Sequence, residues 1–128
     1  MSLDAFIDEF LEGTTPFSDS PKHKNERWWN DTVHLEVLAN RYSDHEKANI
    51  AFIGTYYPNR GQGHAKKCFL WLFDLATKHG VTLTGKCAPV GTTGLKKTEL
   101  SRWYRSLGWS FDRNSNGVWE PEKKEVGA

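Results

Sequence analysis

The amino-acid sequence predicts a mixed α/β domain with helices packed on a sheet. Three observations carry that prediction. Apolar residues recur at helical spacing over 3–11, 65–76 and 100–107. Segments 33–39 and 81–84 alternate apolar and polar residues, and 50–57 is apolar almost throughout. Gly13, Gly80 and Gly108 stand where the three helices should stop.

Leu3, Phe6, Ile7, Phe10 and Leu11 make the first amphipathic helix. Residues 13–27 are polar, carry two prolines and lack a period, which predicts a loop. Trp28 and Trp29 then plug an edge of the core. In 33–39, Val33, Leu35, Val37 and Ala39 face one way and His34, Glu36 and Leu38 the other, as in a half-buried strand. Residues 40–49 read as a turn. Residues 50–57 suit a central strand covered on both faces, paired with the first as a hairpin.

Pro58 to Gly63 break that strand. The next helix runs to about Lys78, with Ala65, Cys68, Phe69, Leu72, Phe73 and Ala76 on its apolar stripe. Residues 81–84 give a third strand, and 89–94 a loop. A last long helix spans 98–107, with Leu100, Trp103, Tyr104 and Leu107 inward. Short strands near 109–111 and 118–120 close a hairpin about the Asn114–Gly117 turn.

The 128 residues form one domain. Residues 1–32 read as a variable helix and loop, 33–112 as the core, and 121–128 as a frayed tail. Cys68 and Cys87 are too few for a disulfide scaffold or a four-thiolate zinc site. The expected setting is therefore the reducing cytoplasm. The first residues, Met1 to Asp4, lack the basic region of a secretory signal, and no apolar run approaches the ~20 residues of a membrane span. The five histidines show no metal-ligand spacing, so no metal is expected.

Charge is unevenly spread. Residues 1–57 carry net −5, residues 58–113 net +7 and residues 114–128 net −1. The central segment is where an anionic ligand would go. Within it lies Tyr56-Tyr57-Pro58-Asn59-Arg60-Gly61-Gln62-Gly63-His64-Ala65, joining a strand to a helix N-terminus. The first N–H groups of a helix lack intrahelical partners, and the macrodipole adds partial positive charge. Gly61 and Gly63 allow close backbone approach, so a pyrophosphate is the natural guest, with Arg60 adding charge. A plain glycine-tightened turn would look the same from the glycines alone.

Arg60-x-x-Gly63-x-Ala65 resembles motif A of the GCN5-related N-acetyltransferases (GNAT). The run Trp103-Tyr104-Arg105-Ser106-Leu107-Gly108-Trp109 resembles that family's later helix-to-strand signature. The resemblance covers about residues 33–112. It implies a GNAT-like mixed central sheet flanked by helices, with a short N-terminal part, and binding of acetyl-coenzyme A (acetyl-CoA). The backbone from Arg60 through Gly61, Gln62, Gly63, His64 and Ala65 would hold the pyrophosphate. The pantetheine arm would lie along the strand near Thr55 and Tyr57. Tyr57 stands where family members often carry proline, and Lys97 where they often carry asparagine.

The resemblance implies acetyl transfer to a primary amine by direct attack in a ternary complex. Tyr104 matches the family's general acid, although it also lies on an apolar stripe. For a base, the central strand offers no carboxylate. Glu36 on the preceding strand is the nearest, with His34 two residues earlier on the same face, a pair able to relay a proton through water. Cys68 sits on a helix stripe and reads as inert packing. The expected partners are an amine acceptor, small molecule or protein, and in the family's manner a second copy as a homodimer. The alternatives are a catalytically inactive binding module on the same fold and, on the basic segment, a nucleic-acid-binding domain.

Overall fold

The computed structural model describes residues 3–40, 47–55, 63–86, 97–114 and 116–121; for Asn40, Lys86, Lys97, Thr98 and Leu100 it describes the backbone alone. The elements are α1 (Leu3–Glu12), β1 (Thr15–Pro16), a 3-10 turn (Pro21–His23), β2 (Glu26–Trp29), β3 (Val33–Asn40), β4 (Lys47–Thr55), α2 (His64–His79), β5 (Thr82–Lys86), α3 (Lys97–Ser106), β6 (Ser110–Phe111) and β7 (Asn116–Trp119). The strands form one seven-stranded sheet in the order β1-β2-β3-β4-β5-β7-β6. Only the β4–β5 pair is parallel among the described residues. That pair needs a crossover, which α2 supplies.

The alternation read in β3 fixes which face is buried. Val33, Leu35 and Val37 lie in the core with Phe6 and Phe10 of α1 and with Cys68, Phe69, Leu72, Phe73 and Ala76 of α2. Each fully buried Leu, Val or Phe contributes about 1.5–3 kcal/mol, so this layer dominates the fold's stability. The predicted α2 stripe is buried except for Ala65, which is half-buried. Gly80 ends α2 at φ 68°, its N–H donating to Ala76 O. That is the left-handed cap only glycine adopts without penalty. Trp103 and Tyr104 of α3 meet Phe69 edge-on, which seats α3 against α2.

Three expectations need correction. Residues 13–27 are not a plain loop: Thr15–Pro16 and Glu26–Trp29 are strands that extend the sheet beyond β3. Strands this short show no period. The signal available was Asn30-Asp31, which sit at φ 51° and 58° while Thr32 N–H donates to Trp29 O at 3.2 Å. Positive φ at both central residues is what a tight hairpin turn requires, and Asn and Asp tolerate it. Next, the central strand begins earlier than expected, at Lys47. Finally, β4 is not covered on both faces: Ala51 is exposed and Phe52 to Thr55 are half-buried. Its apolar run arises because the register shifts from Ile50↔Val37 to Phe52↔Glu36. Ala51 is the extra residue of a bulge, so the inward positions change from Ala48 and Ile50 to Ile53.

The predicted terminal hairpin forms, with Ser110 opposite Val118, but Asn116 and Gly117, expected in its turn, belong to β7 and Gly117 pairs with Phe111. Asp112 Oδ1 closes its turn by accepting from the N–H groups of Asn114 at 2.8 Å and Asn116 at 2.9 Å. The loop expected over 89–94 and the tail expected beyond Pro121 lie outside the described residues.

Candidate active site

The candidate site lies where the described β4–β5 pairing ends. The β4–β5 ladder runs from Lys47↔Thr82 to Ile50↔Gly85 and ends there among the described residues. Strand β4 continues to Thr55, held from the other side by β3 through Phe52↔Glu36, Ile53↔Leu35, Gly54↔His34 and Thr55↔Val33. The bulge at Ala51 falls one residue past the last described β4–β5 pair. A bulge bends its strand and increases the local twist.

The N-terminus of α2 lies just beyond this strand in sequence. Gly63 is its N-cap at φ 78°, with no side-chain cap. Among the described residues the first turn of α2 therefore presents its N–H groups with no side-chain cap from Gly63. A Cβ placed on Gly63 would meet nothing within 4 Å, so the space over the turn is open. His64 and Ala65 follow, both half-buried, and Lys66 and Lys67 are exposed beside them. Thr55, Gly63, His64 and Ala65 thus take the predicted places on strand end and helix start. Tyr57, Arg60, Gly61 and Gln62 lie outside the described residues, as does Cys87.

Tyr104 is half-buried on α3. Its ring packs edge-on to Phe69 at 5.4 Å and to Trp109 at 6.2 Å. Phe111 adds a tilted contact at 6.0 Å. The ring is fixed by aromatic neighbours on α2 and around β6, so its orientation is set by packing.

The opposite face of β2, β3 and β4 carries a cluster that the sequence only half disclosed. His34 is 94% buried there and stacks on Phe17, with ring centroids 3.8 Å apart. Phe52 meets its edge at 4.6 Å, and Trp28 tilts against it at 5.6 Å. Glu36 shares this face, opposite Phe52, as predicted. The carboxylate bonded to His34, however, is Glu26: Nε2 and Oε1 are 2.8 Å apart. The other carboxylate oxygen of Glu26 bonds His23 Nδ1. An ionised carboxylate only accepts, so both ring nitrogens donate. The His23 bond chiefly, with the His34 bond added, holds the Glu26 carboxyl below its usual range against the opposing effect of burial. Burial pushes the His34 imidazole below its usual pKa, and Glu26 partly offsets this. His23, Glu26 and Phe17 were missed because they lie in the stretch read as loop. The register that sets Glu26 across from Glu36 pairs Trp29 with Val33, one residue beyond what a two-residue Asn30-Asp31 turn gives.

Cys68 is fully buried and its thiol pKa is pushed up by burial, which suits packing and not nucleophilic attack. Among the described residues no group of three or more His, Cys, Asp or Glu is placed to hold a metal ion. No helix among them is long and apolar enough to cross a membrane.

No protein-family profile and no curated protein matches the chain. Solved structures do. The chain is similar to the anti-CRISPR protein AcrVA5, at 13% identity and a TM-score of 0.55, over 70% of this chain and 90% of that one. It is also similar to Naa50 of Arabidopsis thaliana in complex with the bisubstrate analogue CoA-Ac-MVNAL. There the identity is 14% and the TM-score 0.50, over 73% of this chain and 67% of that one. These likenesses define the class of fold: the chain has the GNAT-like fold, a mixed seven-stranded sheet with helices packed against it.

Proposed function

We propose that the chain is an acetyl-CoA-dependent N-acetyltransferase. It moves the acetyl group to a primary amine by direct attack in a ternary complex, in the cytoplasm. One observation carries this reading. Strand β4 continues from Ala51 to Thr55 past the last described β4–β5 pair, and α2 starts at a glycine cap with open space beside it. An extended amide-bearing arm fits the first feature and a pyrophosphate the second. On this reading the backbone of Arg60, Gly61, Gln62, Gly63, His64 and Ala65 holds the phosphates. Thr55 and Tyr57 hold the arm.

The neutral amine attacks the thioester carbonyl, the C–S bond breaks and a thiolate leaves. Tyr104 gives that thiolate its proton. Glu36, beside the bulge, takes the proton that the amine loses. Positioning supplies much of the barrier reduction in such a transfer. The Naa50 complex holds a CoA-linked peptide, so peptides with a free N-terminal amine head the acceptor panel, followed by lysine peptides, spermidine and an aminoglycoside. Thiol release from acetyl-CoA is the readout. Wild type should turn over at least one class. Tyr104→Phe should lower kcat about 10²–10⁴-fold, the usual contribution of a positioned general acid, while acetyl-CoA still binds. Equal rates for the two would remove Tyr104 from the chemistry.

A further inference from the structure

Residues 17–25 join β1 to β2 and cross the outer face of the sheet, where Phe17 lies over His34. The segment bonds mostly to itself. Ser20 N–H donates to Ser18 Oγ at 3.0 Å, Lys22 N–H to Ser20 Oγ at 3.3 Å and His23 N–H to Ser20 O at 3.0 Å. Among the described residues, its hydrogen bonds to the rest of the protein go to one residue, Glu26. Phe17 N–H donates to the Glu26 backbone O at 3.0 Å, and His23 Nδ1 donates to the Glu26 carboxylate. One ring completes the attachment: Phe17 stacks on His34 at 3.8 Å and on Trp28 at 5.1 Å.

We propose that residues 17–25 are a strap that opens in mild acid, with Glu26 as its latch and the His34 imidazole beneath it as its trigger. The inference stands apart from the acetyltransferase reading. Closed, the strap helps to keep His34 94% buried. Open, it lifts Phe17 away and returns the imidazole to water, where it takes up a proton as an ordinary histidine does. Protons therefore bind the open form better than the closed one and shift the equilibrium toward it. Opening lays bare Trp28, His34 and Phe52 on one face of β2, β3 and β4, and leaves the core between sheet and helices in place.

The groups around His34 agree with this direction. From the strap comes His23, with Asp19, Lys22 and Lys24 exposed beside it; from β2 comes Glu26; on β3 Glu36 shares the face; and β4 brings the uncharged Phe52. Burial holds the closed-state imidazole below the usual histidine range, a charged His23 acts the same way, and the Glu26 carboxylate partly offsets both. The closed form's advantage is therefore full above the usual histidine pKa, and is lost progressively as pH falls toward the closed-state value. The Glu26 carboxyl lies below its own usual range, chiefly through His23, so the latch stays ionised through mild acid.

The test is amide hydrogen exchange by NMR on the full, nitrogen-labelled chain at about pH 7.5 and about pH 5.5, with intrinsic rates corrected for pH. Where only the open form takes the proton, opening becomes about tenfold more favourable between those values. Protection of the Phe17 N–H should fall at least about threefold, while Leu72 and Phe73 of α2 keep theirs. His34→Phe leaves a ring beneath Phe17 and removes the proton site, so it should abolish this pH dependence. Glu26→Gln should lower Phe17 protection already at the higher pH. A smaller fall in wild type, an equal fall in His34→Phe, or wild-type protection in Glu26→Gln overturns the proposal. Should a variant fail to fold, the nuclear Overhauser contact between the wild-type Phe17 and His34 rings decides. Loss of that contact with a midpoint in the histidine range supports the strap, and its persistence at the lower pH overturns it.

Discussion

Replacing Gly63 with alanine separates a structural turn from a phosphate cradle. Gly63 sits at φ 78°, where a Cβ costs about 1–2 kcal/mol. No packing penalty adds to this, since the new methyl meets nothing within 4 Å. A domain of this size should then melt roughly 3–10 °C lower, by the usual entropy of unfolding. Binding should suffer separately. The methyl occupies open space beside the cap of α2, where on the proposed reading the pyrophosphate approaches the backbone N–H groups. Acetyl-CoA affinity should fall at least tenfold, about 1.4 kcal/mol. Thermal melting measures the first effect and calorimetry, well below both melting temperatures, the second. A variant that melts lower yet binds acetyl-CoA as tightly as wild type would refute the cradle and leave the glycine a purely structural role.

Other consequences follow from the packing and the ion pairs. Gly117→Ala should cost about 1–3 kcal/mol and lower the urea midpoint, since its Cβ would lie 2.6 Å from Phe111 Cε1 and 3.0 Å from Gly85 O. Iodoacetamide should leave Cys68 unmodified in the native protein and modify it in urea, as peptide mapping by mass spectrometry would show. Lys78 chiefly, with His79, holds the Glu9 carboxyl below the usual glutamate range. Its contribution is therefore complete above that usual range and lost as pH falls through the folded-state pKa. The melting temperature of wild type should exceed that of Glu9→Gln near neutral pH, and the gap should close in acid.

Much of the fold was legible because apolar spacing reports burial directly. The α2 stripe and Gly80 stop, the inward Val33, Leu35 and Val37, and the terminal hairpin all follow from periodicity and turn chemistry. What stayed hidden had no period to read. Strand β1 has two residues and β2 four, and pairing fixes them where propensity would not, β2 on β3 and β1 on β2. The bulge at Ala51 was hidden for a related reason: a continuous apolar run looks the same whether a strand is covered twice or changes face midway. The site divides likewise. Motif spacing placed Gly63, His64 and Ala65 at a helix start and Tyr104 on the last helix, whereas the Glu26–His34 bond depends on a register that no local pattern announces.

The most direct measurement is calorimetric titration of the wild-type chain with acetyl-CoA, with coenzyme A and ATP as controls. The account predicts one site of micromolar affinity, competed by coenzyme A and not by ATP. No heat at millimolar acetyl-CoA would contradict it, and would turn attention to nucleic-acid and protein partners on the same fold.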